Sequence, residues 1–217
     1  MNTLLKRIFT SIFLLIILST TLINIKFLFL ILVIIIYLSL NEFKQMFQKI
    51  YKNNNFLYFC SILFSLIYLL LFSTITLDFM FNYDNQKKIS LLFILLICVV
   101  TDIGGFVFGK LIGGYRVTKI SPKKTYSGIV GSFIFAYIFG ILFYNFFNDI
   151  LDLKITLFIF ILIISLISQI GDLFISFLKR KAKIKDSGSI LPGHGGILDR
   201  IDGILLALPV GIKLILL

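Results

Sequence analysis

The sequence predicts an all-α integral membrane protein, a polytopic bundle of about seven transmembrane helices with a polar cavity facing the cytoplasm. Three observations carry this reading. Of the 217 residues, 59% are hydrophobic and 14% charged, against roughly 45–50% and about 25% in a soluble domain. Apolar runs approaching the ~20 residues that cross a bilayer recur along the chain. The 21 basic residues sit mostly in short segments between those runs, as topology signals do. The net charge of +11 therefore does not point to nucleic acid. The 25 Phe with no Trp read as lipid-facing bulk, not as a platform for stacking bases.

The runs fall at about 8–23, 27–40, 56–76, 89–109, 128–147, 155–176 and 203–217. The first leads into the second through Asn24, Ile25 and Lys26 alone, room for a tight turn. No small-residue cleavage site follows it, so it reads as a retained span and not a signal peptide. The second run is short and suits a hairpin with the first. The fourth and sixth each contain an aspartate, and the last begins directly after a charged Asp-Arg-Ile-Asp segment. Cys60 and Cys98 fall inside apolar runs without metal-ligand spacing and read as ordinary buried residues. With no second soluble domain and no convincing repeat, residues 1–217 read as one membrane domain.

Orientation follows from the charges. With a cytoplasmic N-terminus, sixteen of the 21 bases lie in cytoplasmic segments; Lys26, Lys87, Lys88 and Lys154 lie outside, and Lys213 is in the last span. By the positive-inside rule the N-terminus and the most polar stretch of the chain face the cytoplasm.

Asp102, in "ICVVTDIGGFVFG", and Asp172, in "SLISQIGDLFISF", are carboxylates within apolar spans. Such groups are costly and usually face a cavity, a partner or an ion. At 1.5 Å per residue, Asp102 lies roughly 10 Å and Asp172 roughly 6 Å from the cytoplasmic ends of their spans, so both suit one cytoplasm-facing cavity. Ser168, Asp172 and Ser176, spaced by four, form one polar stripe. The plainer alternative for Asp102 is a hydrogen bond within the bundle, to Thr101.

The most polar stretch is "KRKAKIKDSGSILPGHGGILDRIDG", residues 179–203, with six bases, three aspartates, the single histidine and five glycines. Lys179, Arg180, Lys181, Lys183 and Lys185 alone would be a juxtamembrane cluster that attracts anionic lipid. The glycines that follow let backbone approach an anion closely, and Asp199 and Asp202 stand three apart. Paired carboxylates beside many bases suit a metal–polyphosphate complex, because Mg²⁺ takes one or two carboxylates plus phosphate oxygens and Lys and Arg neutralise the rest. His194 reads as a hydrogen-bond donor to phosphate rather than a general base, since an ionised phosphate nucleophile has no proton to lose. With no Cys or second His beside it, a zinc site is not indicated. A second loop, "GKLIGGYRVTKISPKKTYSG" (109–128), brings Gly113, Gly114, Arg116, Lys119, Lys123 and Lys124. It lacks the Walker A spacing, and "SPKKT" also suits a plain turn or cap around Pro122. Two basic, glycine-bearing loops on one side imply a large anionic ligand.

These residues resemble a known family. From Ser176 to Asp202 the chain has Ser, Lys-Arg, Lys-Asp, His-Gly-Gly and Asp-Arg-x-Asp in the order of the phosphatidate cytidylyltransferase (CDP-diacylglycerol synthase) signature, and "TDIGGFVFGKLIGG" and "ISPKKTYSG" are similar to its upstream segments. The similarity is clear over about 98–205, the signature-bearing catalytic half, and general before it. It implies a nucleotidyltransferase that makes CDP-diacylglycerol and pyrophosphate from CTP and phosphatidate. It further implies a multispan homodimer in the cytoplasmic (inner) membrane, using Mg²⁺ with K⁺ as a possible second ion. Carried over, the metal-site aspartates match Asp172 and Asp199, with Asp102 and Asp202 as further candidates. Asp172, Asp199, Lys124 and His194 are the expected catalytic residues. Lys123, Lys124, Lys179, Arg180, Lys185, Gly195, Gly196 and Arg200 are the expected substrate contacts.

Two other readings remain. A CTP-dependent polyprenol or dolichol kinase would need a base for a hydroxyl nucleophile. An ion-coupled transporter would place carboxylates near midplane in symmetric halves with broken helices, whereas these charges crowd one end of their spans.

Overall fold

The computed structural model describes residues 3–81, 84–117, 121, 124–153, 155–190 and 195–216. Among the described residues seven helices follow one another: α1 (Thr3–Thr21), α2 (Ile25–Ile50), α3 (Asn55–Met80), α4 (Asn85–Leu111), α5 (Tyr126–Phe146), α6 (Leu157–Lys181) and α7 (Leu198–Leu216). Among the described residues there is no strand, and an isolated bridge pairs Arg116 with Thr125. Helices α2 to α6 are long and apolar enough to cross a membrane, and α1 holds a shorter apolar stretch, Ile12–Thr21. α7 carries Asp199, Arg200, Asp202 and Lys213 along its length. The protein is all-α and multi-pass.

Each apolar run became a helix, and polar side chains mark where helices begin. Asn24 caps α2 by accepting from the Lys26 N–H at 2.9 Å. Asn54 caps α3 through the Leu57 N–H at 3.0 Å, and Thr125 caps α5 through the Gly128 N–H at 3.1 Å. Such caps satisfy N–H groups that no helical carbonyl reaches. Several boundaries differ from the sequence reading, most of all the end of α2. The second apolar run ends near residue 40, but α2 continues to Ile50, because Ser39, Glu42, Phe43, Met46 and Phe47 keep one helical face buried beyond the greasy stretch.

The chain packs as two compact units, Met1–Tyr83 with Leu178–Ile201, and Asp84–Phe177 with Asp202–Leu217. In the first, α2 packs on both α1 and α3. Its core includes Phe43, Met46, Phe47, Leu69, Phe72 and Met80, with Ala182 and Leu198 from the polar segment. Phe56, Phe59 and Phe64 point outward from α3, as side chains do when lipid is the solvent.

In the second unit, α4 and α5 pack closely along their length. Their seam is built from small residues: a Cβ at Gly104 would sit 2.5 Å from the Gly131 carbonyl oxygen, and one at Gly105 would sit 2.7 Å from Ser132 Oγ. Small residues let backbones approach where lipid removes the hydrophobic drive for association. Phe93 stacks between Phe143 and Phe160, at centroid distances of 5.4 and 5.5 Å. Gly171 and Gly203 bring α6 and α7 together: a Cβ at Gly171 would lie 2.5 Å from the Asp202 carbonyl oxygen. These contacts fix the walls of the cavity described next.

Candidate active site

A cavity of about 260 Å³ opens in the second unit, lined by Asp102, Gly105 and Phe106 of α4, Ser121, Lys124 and Thr125 of the loop before α5, Gly128, Ile129 and Ser132 of α5, and Gln169 and Asp172 of α6. The size is close to the lower end of ligand sites. Gly105 and Gly128, which meet across the α4–α5 seam, form part of its wall. The loop between them is a small hairpin: the Val117 N–H donates to the Lys124 carbonyl at 3.0 Å and the Tyr126 N–H to the Tyr115 carbonyl at 3.1 Å. That pairing carries Lys124 to the cavity mouth, where its Nζ meets Asp172 Oδ2 at 2.5 Å. Ser176 Oγ donates to Asp172 Oδ1 at 3.2 Å.

The sequence reading placed Asp102 and Asp172 in one cavity, and both line this one. The Thr101 hydroxyl bonds the Ile97 carbonyl at 2.6 Å and lies 3.0 Å from Ser165 Oγ. Ser168 and Asp172 lie on the expected stripe, with the Ser168 hydroxyl buried beside the Cys98 thiol.

The donor set of the cavity consists of hard oxygens, two carboxylates with the hydroxyls of Ser121, Thr125 and Ser132. That chemistry fits Mg²⁺, which needs few protein ligands when phosphate oxygens and water complete its octahedron. Among the described residues no group of three or more His, Cys, Asp or Glu side chains could hold a metal alone. Gln169, which the sequence reading missed, also lines the cavity, and its Nε2 is buried with no partner among the described residues.

The signature segment folds in the first unit. α6 ends in a paired set of bonds, Lys183 N–H to the Arg180 carbonyl and Ile184 N–H to the Lys179 carbonyl, each 3.0 Å. This is the Schellman pattern, with Lys183 at φ 56° where glycine is usual. Asp199, one residue into α7, accepts from Lys179 Nζ at 2.6 Å, from the Ser187 N–H at 2.8 Å and from the Gly196 N–H at 3.1 Å. Burial is the largest single influence on its carboxyl and pushes the pKa up. The Lys179 hydrogen bond, the Ser187 and Gly196 N–H groups and the Lys179 charge together outweigh it and hold the pKa below its ordinary value.

The glycines of this segment crowd carboxylates of the chain itself. Gly195 has φ +85°, and a Cβ there would lie 2.7 Å from Asp199 Oδ2. Gly188 lies against Glu42, and Gly196 against both Ser187 Oγ and Glu42. Glu42, also missed at the sequence level, is 1% exposed. It lies on the buried face of α2 with Phe43, Met46 and Phe47, a position that demands a partner.

Lys179, Asp199, Gly195 and Gly196 are thus brought together, as are Asp102, Lys124 and Asp172. Arg180, Lys185 and Arg200 are exposed, and Asp202 Oδ1 accepts from the Gly203 N–H at 2.8 Å. Lys123 and His194 lie outside the described residues.

The chain is 42% identical over 135 residues to the phosphatidate cytidylyltransferase of Rickettsia typhi, an overlap of 58% of this chain and 59% of that one. It is 40% identical over 136 residues to the protein of the same name from Staphylococcus saprophyticus, covering 61% of this chain and 52% of the other. These overlaps span a little over half the length of the curated relatives. A model of the cytidylyltransferase family matches residues 51–217, a range holding the Lys124–Asp172 cavity and the whole signature segment; by that match this chain belongs to the cytidylyltransferase family.

Proposed function

We propose that the protein transfers the cytidylyl group of CTP to phosphatidate, yielding CDP-diacylglycerol and pyrophosphate, at the cytoplasmic face of the inner membrane and as one membrane domain. The observation that carries this reading is the cavity in which Lys124 and Asp172 pair beside Asp102, in a chain of this family. An amine and two carboxylates lined up with hydroxyls suit a metal-bound triphosphate better than a neutral alcohol.

In this reaction a phosphate oxygen of phosphatidate forms a bond to the α-phosphorus of CTP. The bond from that phosphorus to the bridging oxygen breaks, and pyrophosphate leaves with the electron pair. No proton need be removed from the nucleophile. The problem left to the protein is positioning two polyanions in line and offsetting their repulsion. Lys124 is placed to exchange its bond with Asp172 for phosphate oxygens. Gln169 Nε2 is a spare donor in the same wall. Asp172 and Asp102 are the cavity's candidates to hold Mg²⁺. The resemblance also assigns Asp199 to metal binding, and there the Lys179 bond is the one an ion would have to displace. Mg²⁺, when bound, supplies charge neutralisation at the triphosphate; the resemblance adds K⁺ as a second ion. Lys123, Lys179, Arg180, Lys185, Arg200 and the two segment glycines Gly195 and Gly196 are proposed substrate contacts, and His194 is a proposed catalytic residue donating to phosphate. The homodimer is carried over from the resemblance.

Purified protein given phosphatidate, Mg²⁺ and CTP labelled in the α-phosphate should produce labelled lipid and an equal amount of pyrophosphate, while γ-label stays in water. Lipid carrying γ-label, with CDP as the soluble product, would establish a lipid kinase instead.

A further inference from the structure

Glu42 sits on the polar end of α2, 1% exposed. A carboxylate so deeply buried must be met by hydrogen bonds, and three are present. Oε2 accepts from Ser187 Oγ at 2.6 Å and from the Leu198 N–H at 2.9 Å; Oε1 accepts from the Ile197 N–H at 2.8 Å. Ile197 and Leu198 open α7, so these N–H groups belong to a helix N-terminus that lacks carbonyl partners of its own. In phosphate-handling proteins such N–H groups often bind the substrate. In this chain an internal carboxylate, more than 140 residues away in sequence, has taken them.

Ser187 joins this carboxylate to a second one. Its hydroxyl is held by Glu42, and its N–H by Asp199 Oδ2, which also takes the Gly196 N–H. The segment from Ser187 to Leu198 is therefore gripped at both ends by two carboxylates. Gly188 and Gly196 allow the approach, since a Cβ at Gly188 would lie 2.9 Å from Glu42 Oε1 and one at Gly196 would lie 2.5 Å from Oε2.

We propose that Glu42 is a positioning residue for the signature segment: it fixes Ser187 and the start of α7, and through Ser187 it sets the carboxylate of Asp199, without itself touching substrate. The consequence for catalysis rests on the cytidylyl-transfer reading; the hold on the segment does not. An acceptor-only group is required. In Glu42→Gln the amide nitrogen faces the Ile197 N–H in one orientation and the Leu198 N–H in the other, so a backbone donor is stranded either way.

The test uses the full chain in detergent, as parent, Glu42→Gln and Ser187→Ala. Hydrogen exchange of the backbone is read first, with no substrate present. Exchange at Ser187 and at 196–198 should accelerate in Glu42→Gln by about tenfold or more, as expected when a local hold is lost, while α4 and α5 stay protected. Kinetics follow: kcat should fall about 10- to 100-fold, the range for residues that support a ligand from behind, with KM for CTP and phosphatidate within about threefold. Ser187→Ala removes one bond and should give the same pattern at smaller amplitude; it decides the matter should Glu42→Gln fail to accumulate. Unchanged exchange in both variants overturns the proposed hold. Accelerated exchange with kcat unchanged shows that Glu42 only stabilises the fold and overturns the positioning role. A parent chain that transfers no cytidylyl group overturns the proposed function and the kinetic half of this proposal, and the exchange arm then judges the hold alone.

Discussion

Lys124 Nζ and Asp172 Oδ2 stand 2.5 Å apart in a cavity that also holds the Asp102 carboxylate. The amine comes from a loop and the acid from a membrane helix, so the pair ties the hairpin before α5 to α6. Both side chains keep about a quarter of their surface exposed, 26% and 24%. A partly open pair can exchange partners, whereas a sealed one resists it at the cost of stranding a charge.

Removing either partner should therefore damage catalysis more than folding. Lys124→Ala and Asp172→Asn are each expected to lower kcat by about 10²-fold or more, the scale of losing one preorganised charge-stabilising group. Lys124→Arg should recover little, because a planar guanidinium does not occupy the space of an ammonium. Transfer of α-label from CTP to lipid measures all three. Rates within a few-fold of the parent would reduce the pair to a loop tether.

Asp199→Asn sets an amide NH₂ among three donors: the Lys179 ammonium and the Ser187 and Gly196 N–H groups. Turnover should drop at least about 10²-fold, by analogy with the loss of groups that support metal sites. The protein should still be recovered, folded, in the membrane fraction. Near-normal turnover at saturating Mg²⁺ would remove Asp199 from the catalytic set.

Packing at the α4–α5 seam sets a different expectation. Gly104→Val drives a side chain into the Gly131 carbonyl, and overpacking of this kind costs about 1–3 kcal/mol. The unfolding midpoint in detergent should fall. Val130→Ala, at an outward position of the same helix pair, should shift stability by less than about 0.5 kcal/mol. Equal midpoints for the two variants would show that the helices separate freely there.

Orientation can be checked without any activity. A cysteine or reporter placed after Lys183 should be reached only from the cytoplasm, and one at Asp149 only from outside. The reverse labelling would take the signature segment out of reach of CTP.

Much of this was legible from apolar runs and isolated charges. Each of the seven runs gave a helix, and five of these helices, α2 to α6, are long and apolar enough to cross a bilayer. Asp102 and Asp172 were legible as cavity residues because a carboxylate inside a span has few other stable placements. Glu42 escaped notice for the opposite reason: it follows the apolar run, where an acid looks solvated, and its partners lie more than 140 residues away. Gln169 was hidden by its neighbour, since a neutral amide beside Asp172 carries no charge signal. The length of α2 was underestimated because hydropathy fades after residue 40 while the buried stripe of Ser39, Phe43, Met46 and Phe47 goes on.

The crowding at Gly188, Gly195 and Gly196 bears on how substrate preference could be redesigned. Each position faces a carboxylate of the chain itself, so randomising them would mostly sample broken loops rather than new specificities. The wall formed by Phe106, Ile129, Ser132 and Gln169 is different, because it borders the cavity. A search for variants that accept another nucleotide or another lipid acid has room to succeed along that wall, with the three glycines held constant as part of the frame.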